Sequence, residues 1–184
     1  FQEQHNEPID SPTVSKSTLR IMLSLSAMFK CTCKPTDVKA AFLQSHPINR
    51  EIYLEPPPES NSSGKLWKIT KAVYGLTDAA RQWFDSVKDT FLSVNYTQSK
   101  YDPALFFWYH ANKLHGMTVI DIDDFIHAGT EIFEKQVLDN LHKVFEIGNT
   151  AETSFKYIGL NITYSNHLIE IDQINYADAI QYIT

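Results

Sequence analysis

The chain has 184 residues, 43% of them hydrophobic and 21% charged, with a net charge of −6. That length suits one domain or a pair of subdomains, and a disordered chain would need lower hydrophobicity or a larger net charge. No apolar run reaches the roughly 18 residues that span a bilayer, and the acidic balance weighs mildly against bulk nucleic-acid binding.

The first residues, Phe1-Gln2-Glu3-Gln4-His5, carry neither an initiating Met nor a signal-peptide pattern, so the start reads as a cut end inside a longer protein. Residues 1–14 are polar, with Pro8 and Pro12, and read as an extended lead-in. From Ser15 to Phe29 the spacing of Leu19, Met22, Leu23 and Ser26 predicts a helix, with Ser15 or Ser17 as N-cap. Cys31 and Cys33 are the only cysteines. No second Cys or His pair lies at zinc-site spacing, so plain reduced thiols and a reducing compartment are expected. On a strand they would share one face.

Lys34-Pro35 breaks the pattern, and Thr36 to Leu43 is predicted to be a strand running into a short turn. Arg50 to Leu54 alternates as a strand, and so does Leu66 to Thr70. Between them Pro56-Pro57-Pro58 and Glu59 to Gly64 form a loop. Asp78 to Val94 is the most regular helix: Trp83, Val87 and Phe91 recur every four residues, joined by Phe84, Leu92 and Val94, with Thr77 or Asp78 as cap. Tyr101-Asp102-Pro103 is a turn, and Ala104 to Tyr109 is an aromatic strand. Met117 to Ala128 reads as two apolar strands joined through an acidic centre. Glu131 to Phe145 is helical, with Phe133, Val137, Leu141 and Val144 or Phe145 on one side. Asn149 to Ser154 is a polar turn. Phe155 to Tyr164 and Leu168 to Ile171 form a hairpin through Ser165-Asn166-His167, and Tyr176 to Ile183 begins a final helix. The irregular interleaving predicts an α+β fold, an antiparallel sheet with helices packed on one face.

Asp121, Asp123 and Asp124 interrupt the apolar run from Met117 to Ile126. A lone Asp-Asp is ordinarily a solvent-exposed turn. Here both flanks form strands and no Gly or Asn-Gly accompanies the acids, so they look placed, and buried carboxylates call for a partner or a cation. Asp37, in Thr36-Asp37-Val38-Lys39-Ala40-Ala41-Phe42-Leu43, is a second acidic site. Two such sites on separate strands can converge on hard divalent cations, with Asp37 and Asp123 bridging a two-metal site and Asp124 helping to hold it.

Six segments stand in order along the chain: Thr36 to Gln44, Glu51-Ile52-Tyr53-Leu54-Glu55-Pro56-Pro57, Lys65-Leu66-Trp67-Lys68 with Val73-Tyr74-Gly75-Leu76 and Ala79-Ala80-Arg81-Gln82-Trp83, Tyr101 to Phe106, Ile122-Asp123-Asp124-Phe125, and Phe155 to Leu160. Together they resemble the reverse transcriptase of copia-type LTR retrotransposons. The resemblance covers nearly the whole chain and implies a polymerase palm with partial fingers. Residues 1–35 and 45–80 would be fingers-like, 36–44 and 81–160 palm, and 161–184 the start of a connection toward the thumb. It implies catalytic Asp37, Asp123 and Asp124, and two Mg²⁺ or Mn²⁺ ions held by these acids and the Val38 carbonyl. Phe42 would be the aromatic gate against a ribose 2′-hydroxyl, Tyr74 and Gly75 would lie beside the nascent base pair, and Tyr157 and Gly159 would lie at the primer.

The implied activity is RNA-directed DNA polymerisation, with an RNA or DNA template, a primer and deoxynucleotide triphosphates as partners. Thumb, ribonuclease H and integrase domains of a parent polyprotein would be further partners. No membrane is expected, and the setting would be intracellular, in the cytoplasm within virus-like particles. The chain departs from the family in Asp121, two positions before the paired acids, and in Gly148, where many reverse transcriptases carry a nearby lysine. It begins after the basic fingers strand and stops before the thumb, so it is expected to be incompetent alone. A second reading, a decayed or repurposed palm serving as a structural or nucleic-acid-binding module, is favoured by Asp121 and the acidic charge.

Overall fold

The computed structural model describes residues 9–60, 64–148 and 153–180. It divides into two compact units, Phe1–Ser11 with Ala40–Thr90, and Pro12–Lys39 with Phe91–Thr184. Among the described residues no helix is long and apolar enough to cross a membrane.

The second unit is built on a five-stranded antiparallel sheet of β1 (Thr32–Asp37), β4 (Tyr96–Gln98), β5 (Leu105–His110), β6 (Lys113–Asp121) and β7 (Asp124–Gly129), in the order β1-β7-β6-β5-β4. Mixed helix and antiparallel sheet match the α+β expectation. β1 starts at Thr32 and runs through Lys34-Pro35, where the sequence suggested a break. The reason is its place: among the described residues β1 pairs only with β7, and an edge strand tolerates a proline that cannot donate to a second neighbour. It stops at Asp37, not near Leu43. Cys31 and Cys33 are free and buried, and burial, with Cys31 nearby, pushes the Cys33 thiol up to about 12.

Helix α1 (Lys16–Met28) buries Leu19, Met22, Leu23 and Ser26, the four positions its period marks, and the Ser15 hydroxyl caps it by accepting from the Thr18 N–H. Thr18, Met22 and Leu25 of α1 lie alongside Leu105, Phe107 and Met117. Gly116, next to Met117 and therefore on the opposite face, is covered by Phe133. Helices thus cover both faces of the sheet, which corrects the one-face expectation.

Phe133 belongs to a helical stretch of α3 (Glu131–Phe133), a π-helical segment (Glu134–Leu138) and α4 (Asp139–Val144). It buries Phe133, Val137, Leu138 and Leu141, and beyond it Phe145 is buried while Val144 is exposed. Gly116 and Gly129 are cross-strand partners, and a Cβ on either would sit 2.1 or 2.2 Å from the Phe133 ring. The glycine pair is a floor for that ring.

A smaller sheet, β10-β9-β8, holds β8 (Ser154–Tyr157), β9 (Leu160–Ser165) and β10 (Leu168–Asp172). The segment read as one strand from Phe155 to Tyr164 is therefore itself a hairpin. Its turn, Ile158-Gly159, has positive φ at both residues, as a two-residue I′ turn requires, and so does Asn166-His167 at the next turn. A short α5 (Ile174–Asp178) follows. Residues 181–183 of the predicted final helix, 149–152 of the predicted polar turn, 61–63 of the loop and 1–8 of the lead-in lie outside the described residues.

The first unit contains a 3₁₀ turn (Ala41–Gln44), the ribbon of β2 (Pro47–Leu54) with β3 (Trp67–Lys71), and most of α2 (Ala79–Ser93). Ser45 ties these pieces together: its hydroxyl accepts from the Ala72 N–H at 3.3 Å, while the His46 N–H donates to the Ser86 hydroxyl at 2.7 Å. Arg50 pairs with Asp78 before the helix. Trp83, Phe84, Val87 and Phe91 are buried as the period predicts, but Leu92 is exposed.

Candidate active site

β6 and β7 are joined by a turn of two residues, Ile122 and Asp123. On one side Asp124 of β7 pairs directly with Asp121 of β6, and on the other with Asp37 of β1. Paired residues on antiparallel strands project to the same face. Asp37, Asp124 and Asp121 therefore form a row across one end of the sheet, contributed by three strands. Asp123 sits at the turn beside the row, and its carbonyl accepts from the Val38 N–H at 3.3 Å. The turn also separates Asp121 from Asp123, so these two do not share a strand face.

Four carboxylates feel one another here. Burial first, then the charges of Asp123, Asp37 and Asp121, push the Asp124 carboxyl up to about 6. Asp121 is raised as well, by burial and then by Asp123. Such a group is short of positive charge. Hard oxygen donors in this number suit a divalent cation of the Mg²⁺ or Mn²⁺ kind. Among the described residues no three His, Cys, Asp or Glu side chains converge tightly enough to ligate one ion together. The backbone permits it nonetheless, because directly paired Cβ atoms lie only about 4.5–5.5 Å apart and carboxylates can close that gap by side-chain rotation.

Within the turn, Ile122 has φ +55° and is the only one of its two residues in the left-handed region. Glycine is usual there, and a β-branched residue is strained. This is why no turn signal was legible around the acids.

Two further segments hold the row. The Lys39 N–H donates to the Glu146 carbonyl at 3.0 Å, Val38 forms a bridge with Ile147, and the Gly148 N–H donates to the Asp37 carbonyl at 2.7 Å. From β8, the Tyr157 hydroxyl donates to the Asp124 carbonyl at 3.2 Å. Tyr157 is buried and its hydroxyl is raised above the usual range, by burial first and then by Asp121 and Asp124. Its side chain faces inward, while Gly159 sits in the turn that follows with φ +73°. The braces from 146–148 carry no sequence signal, because they run through backbone atoms.

In the other unit, Phe42 is buried in the 3₁₀ turn with its ring tilted 48° against Tyr74, centroids 4.5 Å apart. Tyr74 is exposed, and Gly75 has φ +97°, a conformation only glycine adopts without strain. The Phe42 turn and the Tyr74-Gly75 turn thus meet through one aromatic contact. Asp102, in the Tyr101-Asp102-Pro103 turn, accepts from the N–H groups of Ser15 and Ala104, so that segment anchors the start of α1.

A sheet whose central hairpin presents clustered carboxylates is a site of the kind that nucleotidyl-transferring enzymes use. The family model described as reverse transcriptase (RNA-dependent DNA polymerase) matches residues 1–182. The retrovirus-related Pol polyprotein from transposon TNT 1-94 of Nicotiana tabacum is 30% identical over 68% of this chain and 10% of its own length. The Pol polyprotein from transposon RE1 of Arabidopsis thaliana is 26% identical over 82% of this chain and 10% of its own length. The Ty1-DR4 Gag-Pol polyprotein of Saccharomyces cerevisiae is 24% identical over 88% of this chain, again 10% of its own length. No solved structure gives a significant match. The chain belongs to the reverse transcriptase family, in its copia-type retrotransposon branch. It spans about a tenth of the length of the curated relatives it matches.

Proposed function

We propose that this chain is the palm, with part of the fingers, of an RNA-directed DNA polymerase that extends a primer with deoxynucleotides under an RNA or DNA template. The observation that carries the reading is the direct cross-strand pairing of Asp37 with Asp124, with Asp123 at the adjoining turn. Two divalent cations, when bound, would supply activation of the primer 3′-hydroxyl and neutralisation of the leaving pyrophosphate. Asp37, Asp123 and the Val38 carbonyl would hold them, with Asp124 completing the set. The protein's share of the chemistry is then positioning: β1 and the β6–β7 turn fix the donors before substrate arrives.

Phe42 would exclude a ribose 2′-hydroxyl, with Tyr74 backing its ring and Gly75 letting a base pair approach the backbone. The primer would run past the Ile158-Gly159 turn, and Tyr157 would act through its hydrogen bond to Asp124. In this reading 36–44 and 81–160 are palm, about 1–35 and 45–80 fingers-like, and 161–184 lead toward a thumb. Thumb, ribonuclease H and integrase domains of a Pol polyprotein, inside cytoplasmic virus-like particles, would complete the machinery.

Primer extension by the full parent polyprotein is the test. Wild type extends, Asp123→Asn does not, and Phe42→Ala incorporates ribonucleotides that wild type rejects. Equal extension by wild type and Asp123→Asn would remove the site. Unchanged sugar discrimination in Phe42→Ala would remove the gate alone. Asp121 favours a second reading, a palm without catalysis, because its charge adds to an already repulsive row. That reading predicts a parent that binds template and primer but does not extend the primer.

A further inference from the structure

Gly148 lies in the region where many reverse transcriptases carry a lysine, but its surroundings give it a task of its own. Its φ lies outside the left-handed region, which among the described glycines holds only Gly64, Gly75 and Gly159. The backbone therefore does not require glycine at 148. Space does. A Cβ built there would lie 2.2 Å from Asp37 Oδ2, 3.1 Å from its Cγ and 3.4 Å from its carbonyl oxygen.

We infer that Gly148 is a positioning residue for Asp37: lacking a side chain, it leaves the carboxylate the space beside the backbone from which that carboxylate joins the acid row. The inference rests on the reading of the row as a cation site. Asp37 cannot yield by moving its main chain. β1 pairs it with Asp124, and its carbonyl accepts from the Gly148 N–H at 2.7 Å. Only the carboxylate is free to move. Asp124 stands directly opposite it across the strand pair. A methyl at 148 displaces a flexible group, so the fold survives. The displaced group is the proposed ligand itself, so cation affinity falls.

The experiment is an Mn²⁺ titration of the 184-residue chain, read by thermal stability. It compares wild type, Gly148→Ala, Asp37→Ala and the double variant. Gly148→Ala should raise the Mn²⁺ concentration for half-maximal stabilisation at least tenfold and modestly lower the metal-free melting temperature. In the Asp37→Ala background, the same alanine at 148 should change neither quantity, because no carboxylate remains to be displaced. Should Gly148→Ala fail to fold alone, folding of the double variant supports the inference and its failure contradicts it. A wild-type midpoint in Gly148→Ala overturns the positioning role and leaves the cation site standing. An equal penalty in both backgrounds also overturns it, pointing to a distorted segment and not to the carboxylate. If wild type shows no response to Mn²⁺, the cation site fails. The metal-free comparison then decides alone: a penalty confined to the Asp37 background supports the steric role, and a persistent one refutes it.

Discussion

Asp124 is flanked on both sides by a directly paired carboxylate, a placement that ordinary sheet chemistry avoids because like charges opposite each other are destabilising. That the acids are deliberate was legible from their apolar flanks. Their arrangement was not, since it depends on which strand lies between which, and β7 sits between β1 and β6. The turn at Ile122 was hidden for a related reason: an isoleucine stands where a glycine would have announced it. Ile122→Gly should therefore raise the metal-free melting temperature. Release of the left-handed strain, roughly 1–2 kcal/mol, less the entropic cost of glycine, about 0.5–1 kcal/mol, leaves a gain of about 1 kcal/mol. For a chain of this size that is about 2–4 °C, measurable by calorimetry. Another buried residue was passed over in the sequence. His127 lies at 2% exposure, its Nδ1 2.8 Å from the Thr118 hydroxyl, which in turn is 2.9 Å from that of Tyr96. Burial, with His142 adding to it, pushes its pKa down to about 3 from 6.5. The unfolded chain takes up that proton first. Stability is whole above pH 6.5 and falls as the pH drops toward 3, by up to about 1.4 kcal/mol per pH unit. Urea melts between pH 7 and pH 4.5 check this: the stability difference between wild type and His127→Gln should shrink as the pH falls.

Among the elements, α1 was legible down to each buried side chain and to its Ser15 cap, because an amphipathic helix writes its packing face into its period. The same period misplaced Leu92, near the end of α2. The strands were harder. Phe155 to Tyr164 is apolar at odd positions up to Tyr157 and at even positions from Ile158, so the hairpin at Ile158-Gly159 is marked by that change of phase and a single glycine. Placing α1 and Phe133 on opposite faces of the sheet needs the three-dimensional register, which period alone does not supply. The floor under Phe133 makes this docking testable. Gly129→Ala puts a methyl 2.2 Å from that ring and 2.9 Å from the His115 carbonyl. Overpacking of this sort costs about 1–3 kcal/mol, to be seen in chemical denaturation. Phe133→Ala, which empties the site, should cost about 3–5 kcal/mol and relieve most of the Gly129→Ala penalty in the double variant.

For the whole molecule, the succession of motifs named the family before any coordinates did, and the match over residues 1–182 agrees with it. The division into two compact units was less legible, because the chain leaves one unit at Lys39, in the middle of the first motif, and returns to it at Phe91 within α2. Asp37 and Phe42 therefore fall in different units although five positions apart in sequence. What the molecule does as a whole turns on whether carboxylates from three strands and one turn act together on divalent cations. Direct Mn²⁺ binding, followed by electron paramagnetic resonance on the 184-residue chain, measures this without a substrate. Saturable binding in wild type that is lost in both Asp37→Asn and Asp123→Asn is the result expected. Wild-type binding in either variant, or none in wild type, would contradict it.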